Sequence, residues 1–439
     1  MNAHDAFRME EVLEAAGYAT TPDPSHADLI IVNTCSVREK SHEKVVSALG
    51  RYARLKVENP HLVLAVAGCV AQQEGERLIA IAPAVDLVVS PDHIASLPEL
   101  VRQAAHESVV RTGFTDPQQY AFLTATPGRA GPTALVTVQK GCDNTCSYCI
   151  VPSVRGPCVC RPMDEVLAEI RALVDHGVRE VTLIGQNVNA YRTGAGSVDD
   201  FVTLLTEVDR IEALSRLRFT TSNPKDFHSR MPQCFKELRT LCPWLHLPVQ
   251  SGSSRLLASM QRGYDRDRYI SCVDAVREAR PDVTVGTDII VGFPGETEAD
   301  FLDTISLVEE LQFDYSYSFK FSVRPGTTAA TLSNDVEEME KRRRLLHLQT
   351  VQDRITRARL ARFVGRQVEV LVEGPSRKGD PQLCGRTPGN QVVNFDGTGH
   401  AVGETVTVEV SRAGPHSLTG VALPCKAERD MSRHLEALC

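Results

Sequence analysis

The chain has 439 residues, a formal net charge of −8 and 42% hydrophobic residues, a composition typical of a globular protein with two to four domains. No apolar run approaches the roughly 18 residues that span a bilayer, and the acidic first residues argue against a secretory signal or a typical transit peptide. We therefore expect a cytoplasmic protein without a membrane partner, a mitochondrial or other organellar location being the alternative. Thirteen cysteines, an odd number, favour metal ligation over a disulfide scaffold.

Residues 1–110 are predicted to form a parallel α/β domain. A first helix, capped by Asp5 and ended by Gly17, is followed by continuous apolar strands that alternate with helices, as in a sheet covered on both faces. The strands are predicted at 28–33, 61–67 and 84–89, and the helices at 38–57 and 97–106. Such a fold normally begins with a strand, so we expect a missing strand upstream of Met1.

A second α/β series follows a linker at 114–132 that lacks periodicity. Its six strands are predicted at 134–138, 180–184, 216–220, 244–249, 283–291 and 314–321, and its clearest helices at 164–176 and 298–311. Six βα units in about 200 residues predict an incomplete, TIM-like (β/α)6 barrel rather than an eight-stranded one. We place this domain at 128–358.

The last part of the chain changes to short β segments after a helix predicted at 335–363. These segments are predicted at 367–373, 391–395, 405–411 and 418–423. Gly and Pro punctuate them, which is typical of a small antiparallel β-barrel. We place this barrel at 359–425.

Three cysteines follow the first barrel strand in the segment Lys140-Gly-Cys-Asp-Asn-Thr-Cys-Ser-Tyr-Cys-Ile150. Thiolates from Cys142, Cys146 and Cys149 would leave one iron of a four-iron cluster without a protein ligand. That open iron can chelate the amino and carboxylate groups of a substrate, whose sulfonium is then cleaved by one electron. The alternatives are unligated thiols, or a zinc site completed by Cys158 or Cys160, although structural zinc usually takes two Cys-x-x-Cys pairs.

The pattern Cys-x-x-x-Cys-x-aromatic-Cys, with Tyr148 as the aromatic residue, resembles the signature of radical S-adenosylmethionine enzymes. Over nearly its whole length the chain resembles the methylthiotransferases, most closely the MiaB-type tRNA enzymes, whose small carboxy-terminal barrel is a TRAM domain. The segments that carry this resemblance are 33–39, 67–72, 149–156, 183–189, 220–226, 246–253, 287–297, 324–327 and 384–386.

The resemblance implies a transferase that uses S-adenosylmethionine and two 4Fe–4S clusters. It would add a methylthio group to carbon 2 of an N6-prenylated adenosine next to the tRNA anticodon. Its partners would be the tRNA anticodon stem-loop, an electron donor and a sulfur source, and a monomer is expected. The alternatives are a methylthiotransferase for another tRNA adenosine or a ribosomal protein and, from another class, a non-catalytic iron–sulfur protein that binds RNA or protein.

The resemblance also assigns site residues, though no catalytic side chain. Cys142, Cys146 and Cys149 would hold the radical cluster, and Cys35 and Cys69 an auxiliary one. Both auxiliary cysteines lie just past the carboxyl ends of predicted parallel strands, where open α/β folds bind ligands. The family's third auxiliary cysteine precedes a pair of residues that match Met1-Asn2, so we expect it to be absent from this sequence. The cofactor-binding residues are expected to be Tyr148, Gln186, Asn187, Ser222, Gln250 and Gly292.

Further features concern charge. Arg155 and Arg262 are candidate contacts to carboxylate or phosphate, with exposed surface arginines as the alternative. A basic stretch offset only by Asp353 predicts a stripe that binds tRNA phosphates, the alternative being a solvated helix face. Its members are Lys341, Arg342, Arg343, Arg344, Arg354, Arg357, Arg359, Arg362 and Arg366.

Overall fold

The computed structural model describes residues 1–36, 41–129, 131–193, 200–377, 379 and 381–424. These residues form two compact units. Unit 1 contains 1–126, 137–161 and 322–331, and unit 2 contains the rest of the described chain. The three predicted domain boundaries stay predictions. Within the described ranges, no helix is long and apolar enough to cross a membrane.

The amino-terminal part of unit 1 is an α/β sheet, as predicted. Its four strands are hydrogen-bonded in chain order and every neighbouring pair is parallel. The elements are α1 (Asn2–Ala15), β1 (Leu29–Thr34), α2 (Ser41–Glu58), β2 (Val63–Gly68), α3 (Cys69–Glu74), α4 (Arg77–Ile81), β3 (Leu87–Val89), α5 (Leu97–Ala104) and β4 (Val109–Arg111).

Alternate residues of β2 belong to different hydrophobic cores, one on each face of the sheet. Ala65 lies in one core with Met9 and Leu97, whereas Leu64 lies in the other with Val45 and Leu78. Burial on both faces explains why β2 is a continuous apolar run. The strand β4 was not predicted, and the predicted start of α2 near Arg38 lies outside the described residues.

The predicted cap of α1 is wrong. The helix begins at Asn2 with Met1 as its N-cap residue, and Asp5 lies inside the first turn. The Asp5 side chain is buried and accepts a hydrogen bond from Arg155 instead of capping the helix.

The central part of the chain contains the six barrel strands, and the elements β6, α6 and β7 belong to unit 1. In chain order the elements are β5 (Thr133–Thr137), β6 (Gln139–Lys140), α6 (Val151–Arg155), β7 (Val159–Cys160), α7 (Met163–Asp175), β8 (Glu180–Ile184), α8 (Phe201–Asp209), β9 (Arg216–Phe219), α9 (Met231–Glu237), β10 (Trp244–His246), α10 (Ser254–Ser259), α11 (Arg266–Ala279), β11 (Thr284–Val291), α12 (Glu298–Leu311), β12 (Tyr315–Lys320) and α13 (Glu338–Ala361).

The barrel strands of unit 2 follow one another in chain order, which the sequence alone did not reveal. They form two three-stranded sheets, β5-β8-β9 and β10-β11-β12. A parallel bridge pairs Leu217 of β9 with Leu241, which lies in the segment between β9 and β10. Six strands with intervening helices confirm the predicted partial barrel.

Unit 2 ends in a small closed barrel with the strand order β13-β14-β15-β17-β16. Its core contains Val370, Val393, Phe395 and Val408. The prediction of a purely antiparallel barrel is wrong at one pair, because β15 and β17 are parallel. The sequence did not predict β14, whose five residues include few apolar side chains. The strands are β13 (Gln367–Pro375), β14 (Gln382–Arg386), β15 (Val392–Asp396), β16 (Thr405–Ala413) and β17 (Leu418–Ala422).

Candidate functional site

The cysteine triplet of unit 1 lies on a loop that is closed at its base. The two-residue strands β6 and β7 pair antiparallel, and the Cys142 amide donates to the Gly156 carbonyl at 3.2 Å. Gly141 has a φ of +72°, and a Cβ at this position would overlap the carbonyl oxygen of Pro157. The turn therefore requires glycine, and it fixes the backbone that carries the first thiol.

Backbone contacts also hold the rest of this loop. The Cys149 amide donates to the Cys146 carbonyl at 3.0 Å, and Ser147 accepts from the Ala329 amide at 2.7 Å. All three cysteines of the triplet are half-buried thiols. Burial raises the pKa of the Cys142 thiol, and the neighbouring Cys146 adds to this rise. A bound cation such as iron would hold Cys142 as a thiolate at neutral pH, because metal ligands bind deprotonated.

Cys158 and Cys160, the proposed fourth ligands of a zinc site, lie side by side at β7. Their sulfurs are 3.9 Å apart, and the Gln139 amide donates to the Cys158 sulfur at 2.8 Å. No group of three or more His, Cys, Asp or Glu side chains in the described part of the chain is placed to hold a metal ion. Three half-buried thiols on one loop are the donors that an iron–sulfur cluster with one open iron takes, and the zinc alternative stays a prediction.

Cys35 and Cys69 lie at one edge of the sheet in unit 1. Each directly follows its strand, and the parallel pairing of β1 with β2 places Thr34 opposite Gly68. The two cysteines therefore leave neighbouring strands at the same level, at the edge where parallel sheets bind ligands. Cys35 is half-buried and Cys69 is buried. Burial raises the pKa of Cys69, which Arg155 opposes.

Arg155 forms a buried contact chain with Asp5 and Cys69. Its Nε donates to the Cys69 sulfur at 3.1 Å, and its Nη2 pairs with the Asp5 carboxylate. Burial opposes ionisation of Asp5, but the Arg155 charge and the hydrogen bonds from His4 and Arg155 together outweigh it and hold the pKa of Asp5 at about 2. The predicted contact of Arg155 to a carboxylate is confirmed, and the exposed alternative is wrong. That Asp5 is the partner was not predicted from the sequence.

The cofactor-binding candidates of unit 2 follow consecutive barrel strands. Gln186 comes after β8, Ser222 after β9 and Gln250 after β10. The side-chain oxygens of Gln186 and Ser222 are buried, and no residue in the described chain forms a hydrogen bond with either oxygen. A buried polar atom without a partner costs about 1–3 kcal/mol. Two such oxygens at strand ends fit a ligand that carries hydrogen-bond donors, such as the ammonium and hydroxyl groups of S-adenosylmethionine.

The backbone at this rim is strained at two residues. Thr221 has a φ of +70° and Gln250 a φ of +73°, and a β-branched residue in this region is a genuine outlier. The Thr221 carbonyl accepts from the Val188 amide at 3.0 Å, and the Gln250 amide donates to the Asp288 carbonyl at 2.8 Å. Strain of this kind clusters at ligand sites. The sequence did not single out Thr221.

Asn187 is tied to a neighbouring loop. Its Nδ2 donates to the Asp226 carboxylate at 2.7 Å, so its contact to a cofactor ammonium stays a prediction. Arg262 is buried, and its Nε donates to the Tyr264 hydroxyl at 3.0 Å. It also donates to the Pro248 carbonyl at 3.3 Å. The exposed alternative for Arg262 is therefore wrong, and its contact to a carboxylate or phosphate stays a prediction.

Gly292 and Tyr148 complete the candidates. Gly292 has a φ of +73°, its amide donates to the Glu296 carboxylate, and a Cβ there would overlap the Lys341 side chain. The turn from strand to helix and its packing on Lys341 thus account for this glycine, and its approach to adenine stays a prediction. Tyr148 lies half-buried on the loop of the cysteine triplet, and its contact to the cofactor also stays a prediction.

The predicted basic stripe along α13 is only partly present. Arg344 is buried and pairs with Glu296 at 2.8 Å, and Lys341 is buried as well. Arg359 pairs with Asp314 at 2.6 Å. Asp353 is the only acidic residue within the stretch, but acidic side chains of other elements also pair with the helix. Further pairs are Arg342 with Glu338, Arg343 with Glu298 and Glu340, and Arg354 with Glu309.

Six arginines of this stretch are exposed, and Arg357, Arg362 and Arg366 are those for which no ion pair is found among the described residues. Arg362 and Arg366 line a cavity of about 370 Å³, together with residues 387–389 of the small barrel. The contact of these arginines to tRNA phosphates stays a prediction.

Three family descriptions match the chain. The Radical SAM superfamily matches residues 136–308, the Uncharacterized protein family UPF0004 matches residues 1–90, and the TRAM domain matches residues 361–423. The first match contains the cysteine triplet and the strand-end candidates, and the second contains Cys35 and Cys69.

Similar proteins cover nearly the whole chain. A tRNA-2-methylthio-N(6)-dimethylallyladenosine synthase from Burkholderia thailandensis is 47% identical over 96% of this chain and 94% of its own length. A synthase of the same name from Geobacter metallireducens is 49% identical over 96% of this chain and 95% of its own length. Among solved structures, the radical S-adenosylmethionine methyltransferase TsrM from Kitasatospora setae is similar in fold. It has a TM-score of 0.55 and 15% identity, and the match covers 75% of this chain and 72% of that one.

Proposed function

Because the chain belongs to the tRNA-2-methylthio-N(6)-dimethylallyladenosine synthase family, we propose that it adds a methylthio group to carbon 2 of an N6-prenylated adenosine next to the tRNA anticodon. It acts as a radical S-adenosylmethionine transferase. The observation that carries this proposal is the triplet of half-buried thiols on a glycine-locked loop, within a chain that matches these synthases over 96% of its length.

In this proposal the cysteines divide between two 4Fe–4S clusters. Cys142, Cys146 and Cys149 bind three irons of the radical cluster and leave the fourth open. Cys35 and Cys69 bind the auxiliary cluster. The radical cluster and its cofactor, when bound, supply one-electron cleavage of the sulfonium. The protein supplies ligation, orientation and exclusion of water.

The strand ends of unit 2 orient S-adenosylmethionine. The buried oxygens of Gln186 and Ser222 accept hydrogen bonds from its ammonium and hydroxyl donors. Gln250, whose backbone is strained at the same rim, is a third proposed contact to this ligand. Asn187, Tyr148 and Gly292 are the remaining proposed contacts to the cofactor. This assignment is supported by the two unpartnered oxygens, because a donor-bearing ligand would satisfy both.

The tRNA substrate is bound through phosphates and through the anticodon loop. Arg357, Arg362 and Arg366 are the exposed cations beside the small barrel, and their affinity for phosphates falls as salt rises. An unpaired loop exposes the base edges and faces that proteins read in single-stranded RNA. We place the protein in the cytoplasm as a monomer, where an electron donor and a sulfur source must supply the reaction.

The test is product analysis by nucleoside mass spectrometry. The anaerobically reconstituted protein is given S-adenosylmethionine, a reductant, sulfide and tRNA that carries the prenylated adenosine. We expect the 2-methylthio product from the native chain and from Cys272→Ala, whose buried thiol lies in α11. We expect none from Cys146→Ala.

Other outcomes would redirect or end the proposal. A methylthio group found only on another tRNA adenosine or on a ribosomal protein would replace the substrate. An iron-loaded chain that binds tRNA but leaves every substrate unmodified would contradict catalysis and support the binding protein.

A further inference from the structure

We propose that Arg155 is a positioning residue for the auxiliary cluster, held by Asp5 so that its guanidinium donates to the Cys69 sulfur and raises the reduction potential of the iron bound there. This inference rests on the proposed ligand role of Cys69. It assigns a function to the buried ion pair of Arg155 with Asp5. The roles proposed for the thiols and for the strand-end residues of unit 2 do not explain this pair.

The geometry of the contact is specific. Arg155 Nε lies 3.1 Å from the Cys69 sulfur, while Nη2 of the same guanidinium pairs with Asp5. Cys69 shares an apolar cluster with Ile150 and Val154 of the loop and helix that carry Arg155. The planar guanidinium thus reaches a carboxylate and a sulfur at once, an arrangement that lysine cannot reproduce.

The contact is also sheltered from water. Arg155 is 6% exposed and Asp5 is 5% exposed, so solvent screens their charges weakly. A buried arginine normally needs a carboxylate to balance its charge, and Asp5 provides it. Besides its pair with Asp5, the guanidinium donates one further hydrogen bond, from Nε to the Cys69 sulfur. Hydrogen bonds to cluster sulfurs are one of the means by which proteins set cluster potentials.

Another buried ion pair in unit 1 serves as the matched control. Lys140 pairs with Asp92, and the exposed fractions of the two side chains are 4% and 3%. The Lys140 ammonium also lies over the Tyr120 ring, 4.1 Å from its centre. Breaking this pair disturbs the same unit to a similar degree without removing the donor to Cys69.

The experiment isolates the auxiliary cluster in the full-length chain. Cys142→Ala, Cys146→Ala and Cys149→Ala are combined as the parent, which is reconstituted anaerobically with iron and sulfide. Iron content and midpoint potential are then measured by spectroelectrochemistry. Relative to this parent, Arg155→Gln should shift the potential to more negative values, because a positive charge and a donor to sulfur are lost. Asp5→Asn should shift it to more positive values, because the arginine charge is no longer balanced.

Potential shifts of opposite sign in the two variants distinguish tuning of the cluster potential from a purely structural role of Arg155. A purely structural role would shift Arg155→Gln and Asp5→Asn in the same direction, and that result overturns the proposal, as does an unchanged potential in Arg155→Gln. Asp92→Asn should shift the potential less than Asp5→Asn does, because Lys140 and Asp92 line the same pocket but their loss leaves Arg155 paired with Asp5 and donating to Cys69. If Asp5→Asn does not fold, Arg155→Lys decides: it keeps the charge, so its shift must be smaller than that of Arg155→Gln, and an equal shift overturns the proposal.

Failure of the proposed function has a different signature. A parent that binds no iron shows that Cys35 and Cys69 hold no cluster, and both proposals fall together. A parent that binds iron with the same potential in every variant leaves the auxiliary cluster in place and removes only the role of Arg155.

Discussion

The cysteine sites of unit 1 and the strand-end rim of unit 2 differ in the charge of the groups that they bury. Unit 1 buries full charges beside its thiols, Arg155 with Asp5 and Lys140 with Asp92. The rim of unit 2 instead buries the neutral side-chain oxygens of Gln186 and Ser222. Thiolate ligands are anions, so a neighbouring cation stabilises them, whereas neutral oxygens can accept from a cationic ammonium without requiring an ion pair.

The two regions also position their groups by different means. At the auxiliary edge of unit 1 a side-chain ion pair holds the donor that reaches Cys69. At the rim of unit 2, the strained backbone at Thr221 and Gln250 positions the polar groups. Ion pairs respond to pH and to charge substitutions, while strained backbone responds to changes in residue size and type. Four predictions test this distinction, beginning with the largest expected effect.

Asp5→Asn should lower the free energy of unfolding of the iron-free protein by about 3–5 kcal/mol at pH 7, because it leaves Arg155 charged, buried and unpaired. The folded-state pKa of Asp5, about 2, lies below its ordinary value near 3.9. Its contribution is therefore complete above about pH 4 and is lost as the pH falls to 2. Urea unfolding of both proteins at pH 7, 4 and 2.5 measures this. A difference that did not shrink at low pH would contradict the ion pair.

Gly141→Ala should lower the free energy of unfolding by about 3 kcal/mol, since it combines a left-handed backbone with a Cβ that overlaps the Pro157 carbonyl. Gly177→Ala is the control, because Gly177 has a φ of +95° and no atom near its Cβ position. It should lose only about 1–2 kcal/mol. Equal losses in urea unfolding would show that the base of the cysteine loop is not locked.

Ser222→Ala should weaken binding of S-adenosylhomocysteine, a non-reacting relative of the cofactor, about threefold to tenfold, the effect of one hydrogen bond. Ser271→Ala is the control, since its hydroxyl bonds to the Asp267 carbonyl of its own helix at 2.8 Å. Isothermal titration calorimetry measures both affinities. Unchanged binding in Ser222→Ala would remove this oxygen from the cofactor site.

Glu340→Gln should have the smallest effect, below about 1 kcal/mol, because a half-exposed ion pair contributes little. Hydrogen bonds from Arg343 hold the pKa of Glu340 at about 2, similar to that of buried Asp5. The small stabilisation is present above about pH 4.5 and is lost as the pH falls to 2. Urea unfolding at pH 7 and pH 3 should thus separate two carboxyls of similar pKa by their burial. A loss as large as that of Asp5→Asn would contradict this view.

Much of the fold could be predicted from periodicity. The bounds predicted for β8, Glu180–Ile184, and for α12, Glu298–Leu311, agree with the structure. Apolar and amphipathic runs show from the sequence alone which residues are buried and where the pattern ends. The short strand β4 was missed, since three residues carry too little pattern. The strand β14 was missed for a related reason, because its pairing partners, not its own composition, make it a strand.

The site was less predictable where contacts join distant parts of the chain. The positions of Gln186 and Ser222 at strand ends follow from the strand pattern together with the family resemblance. The pairing of Asp5 with Arg155 spans 150 residues, and the positive φ of Thr221 depends on contacts that Thr221 makes only in the folded barrel. Several acids that neutralise α13, Glu296, Glu298, Glu309 and Asp314, likewise come from parts of the chain that are distant in sequence from the arginines.

The closed base of the cysteine loop has a consequence for cluster assembly. Hydrogen bonds at Cys142, Cys149 and Ser147 order this loop in the protein chain itself, so little conformational entropy remains to be lost when iron and sulfide arrive. If this loop holds the proposed radical cluster, a chain that has lost the cluster to oxygen keeps an ordered loop to receive a new one. Repair then depends on the supply of iron, sulfide and electrons rather than on refolding of the polypeptide.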